Sequence, residues 1–305
     1  MTSTVSDYVA SFKSVLADFG NYFHATLISG TKGDAAVPKW MWVPVAAPIV
    51  YYSARYLWEL ATVTDLKNKV VFIAGADSGF GYLLAVKCAI NDLTVFAGCL
   101  TEEGRDRLRE ETKHLPGRII PVQLDVTDDD SVKAASEFVQ YNLDQGQYLW
   151  ALVLNAGFLA HYGPDPWCTV ADYHKPMNIN AFGMIRCVHA FLPMIKQSKG
   201  RIIAASSIAG RFSQAYGVAY SMSKYAVEAY TDGIRQELQP YGITVSILEP
   251  GAFRTNFVSY DAHRERVEGI WSRMPQDLRD EYGEDYKNKC KLLHRLTKSC
   301  DWKKH

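Results

Sequence analysis

Short apolar runs alternate with longer amphipathic ones through the middle of the chain. The short runs are Val70 to Ala74, Thr94 to Gly98, Ile119 to Leu124, Leu149 to Leu154, Arg201 to Ala205 and Thr244 to Leu248. They have strand length and are rich in β-branched residues. Between them Tyr82 to Ile90, Glu102 to Thr112, Ser131 to Tyr141, Ile179 to Lys196 and Tyr220 to Leu238 carry apolar residues at helical spacing. Strands that are apolar throughout are covered on both faces, and the intervening helices supply the crossovers. The pattern therefore predicts repeated βαβ units in an α/β, doubly wound, mostly parallel sheet, with no seventh strand. After Thr255 it changes to charged helical segments, Arg264 to Arg273 and Gln276 to Lys291, whose spacing alone fits a surface appendage as well as a functional element.

The first 66 residues stand outside this alternation. Val5, Tyr8, Val9, Phe12, Leu16 and Phe19 share one helical face, which suits a membrane surface, packing on the domain or a second subunit. No basic start precedes an apolar core, and Asp7 and Asp18 beside a single Lys13 argue against a secretory signal or an Arg-rich transit peptide. The uncharged run Trp40 to Ala54 is shorter than the roughly 20 residues a spanning helix needs, and Pro44 and Pro48 are expected to interrupt it. Trp40, Trp42, Tyr51, Tyr52, Tyr56 and Trp58 are residue types that settle at a membrane interface. The expectation is membrane association without a span.

Chemistry enters at the first strand. Gly75-Ala76-Asp77-Ser78-Gly79-Phe80-Gly81 follows Lys69 to Ala74 and precedes a helix. The spacing is G-x-x-x-G-x-G, and its glycines let the backbone turn sharply and approach a pyrophosphate at the helix N-terminus, as in Rossmann-like domains. Further along, Tyr220 and Lys224 lie one turn apart on a predicted helix, with Ser207 upstream. A phenol titrates near pH 10, and a neighbouring ammonium favours its ionised form, so the pair predicts a proton-transfer group poised near neutrality.

Taken in order, these motifs resemble the short-chain dehydrogenase/reductase family from about Lys67 to Gly251. The match includes Leu124-Asp125-Val126, Leu154-Asn155-Ala156-Gly157, Asn178-Ile179-Asn180-Ala181-Phe182-Gly183, Ala205-Ser206-Ser207, and Pro250-Gly251 with Thr255. The wording Asp77-Ser78-Gly79-Phe80-Gly81 and Ala97-Gly98-Cys99-Leu100-Thr101, with Met274-Pro275 and Tyr282-Gly283, is similar to the retinol/hydroxysteroid dehydrogenase branch. Mitochondrial 3-hydroxybutyrate dehydrogenase belongs to the same branch. The resemblance implies Ser207, Tyr220, Lys224 and Asn180 as the catalytic set, with Asn180 orienting Lys224 through a water relay. It implies cofactor contacts from Gly75, Asp77, Ser78, Gly79, Phe80, Gly81, Gly98, Asp125, Val126, Asn155, Ala156, Gly157, Tyr220, Lys224, Pro250, Gly251 and Thr255, and a lid in the helices after Thr255. Ser207, Phe158, Leu159 and His161 are the substrate candidates; Phe158 and Leu159 suit an apolar substrate, and His161 a carboxylate. Three positions depart from the family pattern: Ala74, Leu154 and Ala204 replace residues that offer side-chain hydrogen bonds between strand ends, which would loosen the cofactor site.

Composition narrows the classes. The chain has 305 residues, 48% hydrophobic, with Lys+Arg and Asp+Glu balanced at 33 each, so it offers no positive field to a nucleic acid. Its six cysteines, Cys88, Cys99, Cys168, Cys187, Cys290 and Cys300, lack metal spacing and read as free thiols with no metal site. Gly98 stands where NAD-preferring relatives carry an acid for the ribose diol, no basic residue replaces it, and Asp77 would repel a 2′-phosphate; NAD is expected, with NADP not excluded. The organisation expected is an extension over 1–66, one Rossmann-like catalytic domain over 67–255, and a helical lid and basic tail over 256–305. The function expected is NAD(P)-dependent interconversion of an alcohol and a carbonyl on a hydrophobic substrate such as a steroid or retinoid, by a membrane-associated, intracellular enzyme that also has room for a homo-oligomer. The alternatives are a small hydroxy acid substrate and a non-catalytic nucleotide-binding scaffold. The location expected is the endoplasmic reticulum, with mitochondrion or cytoplasm as alternatives.

Overall fold

The structure, a computed structural model, describes residues 43–59, 63–159, 161–253 and 259–293. The chain divides into two compact units, Met1–Val63 and Thr64–His305. Within the first unit the described segment is one helix, α1 (Val43–Glu59), which runs through Pro48 without ending there. Pro44 is the second residue of α1, where its N–H would have no helical partner, and the helix accommodates Pro48 at the cost of one backbone bond. Tyr51, Tyr52 and Tyr56 are exposed along α1. The amphipathic stretch Val5 to Phe19, together with Trp40 and Trp42, lies outside the described residues, as do the side chain of Trp58 and the position of Thr255.

The second unit holds six strands: β1 (Lys69–Ala74), β2 (Thr94–Cys99), β3 (Ile119–Gln123), β4 (Tyr148–Leu154), β5 (Arg201–Ala205) and β6 (Thr244–Leu248). They form one parallel sheet in the order β3-β2-β1-β4-β5-β6. The order reverses at β1, so the C-terminal ends of β1 and β4 flank the crevice in which doubly wound sheets bind ligands. The crossovers are α2 (Gly79–Ile90), α3 (Glu102–Glu111), α4 (Asp129–Tyr141), the run α5 (Val170–Pro176), a π-helical turn (Met177–Phe182) and α6 (Gly183–Ser198), then α7 (Val218–Leu238). Two further helices follow where the resemblance implies a lid, α8 (Tyr260–Trp271) and α9 (Gln276–Leu293), the second bent at Gly283. Every strand and helix predicted between Val70 and Lys291 is present within a few residues. Alpha-helix α5 and the π-helical turn were not foreseen, because Val170 to Asn178 carries too few apolar residues to register as periodic.

Residue alternation along β1 divides the core between the two sheet faces. Val70, Phe72 and Ala74 pack with Phe96, Leu152, Phe191 and Ile202 on one face, while Val71 and Ile73 pack with Val95, Ala97 and Leu108 on the other. The lid has its own small core, in which Val267, Ile270, Trp271, Met274 and Cys290 close around Trp167. Ala74 is registered against Leu154, and Leu154 against Ala204. The three departures from the family pattern are therefore neighbours in one row across β1, β4 and β5, and all three are buried in the same apolar cluster. They form one continuous apolar row across the strand ends.

Candidate active site

Two glycines at the end of β1 are fixed by sterics. Gly75 has φ +82°, and a Cβ there would come within 2.6 Å of the Ala156 Cα. A Cβ at Gly81 would run into the Gly75 carbonyl oxygen. Gly75 and Ala76 N–H donate to the Gly98 carbonyl at 2.9 and 2.8 Å, and Asn155 Nδ2 donates to the Gly75 carbonyl at 2.8 Å. The turn is thus clamped between β2 and the N-A-G segment after β4. Ser78 precedes α2 without making a side-chain cap, which leaves the first-turn N–H groups to an anion.

Asp77 does more than carry charge. Its carboxylate accepts from Leu100 N at 3.0 Å, and from Thr101 N at 2.8 Å and Thr101 Oγ1 at 2.9 Å, tying the glycine turn to the end of β2. Gly98, the proposed ribose position, is buried inside β2, and a Cβ there would meet Leu124 Cδ2 at 2.6 Å. Its contribution is the carbonyl that holds Gly75; it does not line the cleft.

The cleft is a cavity of about 460 Å³ over the C-terminal strand ends. Of the expected cofactor residues it is lined by Gly75, Asp77, Ser78, Gly79, Phe80, Asp125, Val126, Asn155, Ala156, Gly157, Tyr220, Lys224, Pro250 and Gly251, and of the substrate candidates by Ser207, Phe158, Leu159 and His161. Gly81 and Asn180 stand behind its wall. Sequence reading missed Tyr162, Gln214, Phe253, His263 and Arg266. His263 and Arg266 are three apart on α8, a spacing that places both on one helix face, but the sequence alone does not say what that face meets.

At the cleft floor the phenol of Tyr220 hydrogen-bonds Ser207, and burial raises its pKa while that bond lowers it, the first effect prevailing. The expected fall toward neutrality is absent. Lys224 Nζ lies 5.7 Å from the Tyr220 ring centre and donates to the Ala205 carbonyl at 2.8 Å. Lys224 is itself buried, and desolvation, opposed by Glu228, brings its pKa down to about 8. Asn180, in the π-helical turn, is anchored by its own hydrogen bonds. Its Oδ1 accepts from Phe158 N at 2.6 Å, and its Nδ2 donates to the Phe158 carbonyl at 3.0 Å and to Ser223 Oγ at 2.8 Å. It braces the N-A-G segment against α7, and a Cβ at Gly157 would stand 3.6 Å from Asn180 Oδ1 and 3.9 Å from Lys224 Nζ, so both groups border the same face of that glycine. A π-turn at such a place is common in functional sites.

His161 is held by the lid. Its Nε2 lies 2.7 Å from Asp172 Oδ1, and Arg273 Nη2 reaches that same oxygen at 2.9 Å. Burial works to raise the Asp172 pKa, but hydrogen bonds from Thr169 and Arg273 overcome it and hold the group at about 2. Burial lowers the His161 pKa against the attraction of Asp172. A neutral imidazole already facing a carboxylate is not a free cation for a substrate carboxylate. Instead Arg273, Asp172 and His161 latch the end of α8 to α5.

A glycine turn at the strand-order reversal, opening onto a cleft with a hydrogen-bonded serine and tyrosine beside a buried lysine, defines a dinucleotide-dependent alcohol/carbonyl oxidoreductase. The chain belongs to the short chain dehydrogenase family, whose sequence profile matches residues 69–266. It is 42% identical over 250 residues to the 3beta-hydroxysteroid dehydrogenase dhs-16 of Caenorhabditis elegans, covering 81% of this chain and 64% of that protein. It is 39% identical to the Homo sapiens 17-beta-hydroxysteroid dehydrogenase type 6, over 81% of this chain and 76% of that one. Among solved structures, a short-chain dehydrogenase from Streptomyces avermitilis is 33% identical over 62% of this chain and 67% of its own, with a TM-score of 0.56. One from Burkholderia phymatum, in complex with NAD, shares the fold at 23% identity and TM-score 0.65, over 78% and 82% of the two chains.

Proposed function

We propose that this protein interconverts an alcohol and a carbonyl on a bulky hydrophobic molecule of steroid or retinoid type, with NAD as hydride carrier. The observation that carries the reading is the Tyr220–Ser207 hydrogen bond beside buried Lys224, at the floor of a cleft whose walls include Phe80, Phe158, Leu159, Tyr162, Ile179 and Phe253. Relatives named as hydroxysteroid dehydrogenases support the substrate class. The glycine cradle, the uncapped start of α2 and the Asp125 and N-A-G walls fit a dinucleotide. When bound, the nicotinamide accepts or donates the hydride at the substrate carbon.

The chain's own residues handle the proton. Ser207 holds the substrate oxygen. In reduction Tyr220 gives its phenolic proton to the carbonyl oxygen, and the ammonium of Lys224 stabilises the phenolate left behind; in oxidation that phenolate takes the substrate hydroxyl proton and becomes the phenol again. Asn180 fixes the spacing between the N-A-G segment and α7. A small hydroxy acid is less well served, because His161 is engaged by Asp172. A non-catalytic scaffold would not need the serine, tyrosine and lysine together. A coupled screen of steroids, retinoids and 3-hydroxybutyrate, read by NADH absorbance, tests the reading; turnover of 3-hydroxybutyrate alone would reverse the substrate choice.

Membrane association belongs to the same proposal. No helix of the described residues is long and apolar enough to cross a membrane. Exposed Tyr51, Tyr52 and Tyr56 on α1 suit the interface of the endoplasmic reticulum or another internal membrane, where a ring is buried in lipid and its hydroxyl stays in water. Flotation of full-length protein and of protein lacking residues 1–60 with liposomes is expected to separate the two. Full-length protein that stays in the soluble fraction sinks this part.

A further inference from the structure

Lys224 and Glu228 stand one turn apart on α7, and both are buried, at 4% and 5% exposure. Two more charged groups complete the neighbourhood: Arg211, after the turn that follows Ser207, and Glu249, after β6. Arg211 Nη2 lies 3.1 Å from Glu228 Oε2 and 2.7 Å from Glu249 Oε1, and its Nε lies 2.9 Å from that same Glu249 oxygen. The hydrogen bonds of the guanidinium go to Glu249. Neither oxygen of Glu228 takes a hydrogen bond, although both are shielded from solvent. The chain closes tightly over them: a Cβ at Gly210 would stand 2.9 Å from both Glu228 Cγ and Ser206 Oγ.

A buried carboxylate without hydrogen bonds is costly unless an opposite charge compensates it. Arg211 compensates only in part, because it is half-exposed and shared with Glu249. The other buried cation of this neighbourhood is the ammonium of Lys224, one helical turn before Glu228, whose hydrogen bond goes to a neutral acceptor, the Ala205 carbonyl, and not to the carboxylate. The other polar groups around Lys224 are the Tyr220 phenol on its own helix, the Ser207 hydroxyl after β5 and the Asn180 amide beside Gly157. None of them supplies negative charge at neutral pH.

We propose that Glu228 is the counter-ion of the Lys224 ammonium, a positioning residue that keeps it charged while Tyr220 exchanges a proton with substrate. This rests on the role given to Lys224 in the proposed function. Burial pushes Lys224 toward neutrality and Glu228 opposes it. Arg211 competes with Lys224 for Glu228, which gives the proposal two signs to test. Glu228→Gln removes the counter-charge and keeps the shape. Arg211→Met removes the competitor and leaves Glu228 to Lys224 alone.

The readout is the titration of the Lys224 ¹³Cε resonance in the full-length protein, assigned by its loss in Lys224→Met. The midpoint is expected to fall by about one pH unit in Glu228→Gln and to rise in Arg211→Met. The alkaline limb of the kcat profile should follow in the same two directions. A residue that only braces the fold would lower stability in both variants without moving either midpoint, and that result overturns the proposal. If Glu228→Gln does not fold, the Arg211→Met arm decides alone: an unchanged or lower midpoint is fatal. If wild-type protein turns over no alcohol, the proposed function fails by itself, and the resonance titration still tests the pairing.

Discussion

The two walls of the cleft are built on different principles. The sheet wall is shaped by backbone: Gly75 at φ +82°, the collision that any side chain at Gly81 would cause, and N–H groups anchored on the Gly98 carbonyl. The lid wall is shaped by side chains, with His263 and Arg266 presented by a helix pair that has its own core around Trp167 and Trp271. A backbone wall tolerates almost no substitution and suits a ligand that does not change. A side-chain wall on a separately packed element can be altered without disturbing the sheet. Under the proposed function, the first wall would meet the cofactor and the second the substrate.

The floor between the walls gives the largest expected effect. Tyr220→Phe deletes one hydroxyl and should cut turnover by about 10²–10⁴-fold, with NAD affinity by fluorescence titration nearly unchanged. Activity within tenfold of the parent would remove Tyr220 from proton transfer. On the sheet wall, Gly75→Ala forces a left-handed conformation and a clash with Ala156, and strain of this kind costs about 1–3 kcal/mol. Cofactor binding should be lost more completely than stability in a urea melt. An equal loss of both would mean that the turn is purely structural.

On the lid wall, Arg273→Met cuts the latch to Asp172 and leaves the sheet alone. KM for a bulky substrate should rise about tenfold while NAD affinity holds, since the binding energy lost is on the substrate side only. A matching loss in NAD affinity would show that the walls are not independent.

The smallest effect concerns pH. The pKa of Lys224 in the folded chain, about 8, lies below the ordinary lysine value of 10.5. The unfolded chain therefore binds more protons between those values, and stability contributed at this site rises with pH across that window. Below about pH 8 the cost of burying the ammonium is present in full. Lys224→Met also leaves Glu228 without its counter-ion, a cost that does not change over this window, so the difference in heat stability between variant and parent should move in the parent's favour as pH rises from about 8 toward 10. A difference that moves in the variant's favour as pH rises contradicts the assigned direction.

The sheet wall was legible in the sequence and the lid wall was only partly so. Strand runs such as Lys69 to Ala74 and the glycine turn announce themselves because backbone geometry restricts which residues can stand there. The helices of the lid were also visible, since charged and apolar residues alternate at helical spacing. What they face was not. The contacts of His161 with Asp172 and Arg273 join residues far apart in the chain, and no local pattern encodes them. Electrostatics were the least legible. Spacing placed Tyr220 beside Lys224, yet the effect of burial on each group, opposite to the shift expected for the phenol, depends on the surrounding atoms.

The row Ala74, Leu154 and Ala204 behaves as one inherited character spread over three codons. Because each residue is registered against the next, restoring a hydroxyl or amide at one position alone would strand it among hydrocarbon with no acceptor opposite. Single reversions should each lower stability, while the triple reversion recovers part of that loss, a coupling of roughly 0.5–3 kcal/mol for residues in contact. On that expectation the three positions respond to substitution as one coupled unit.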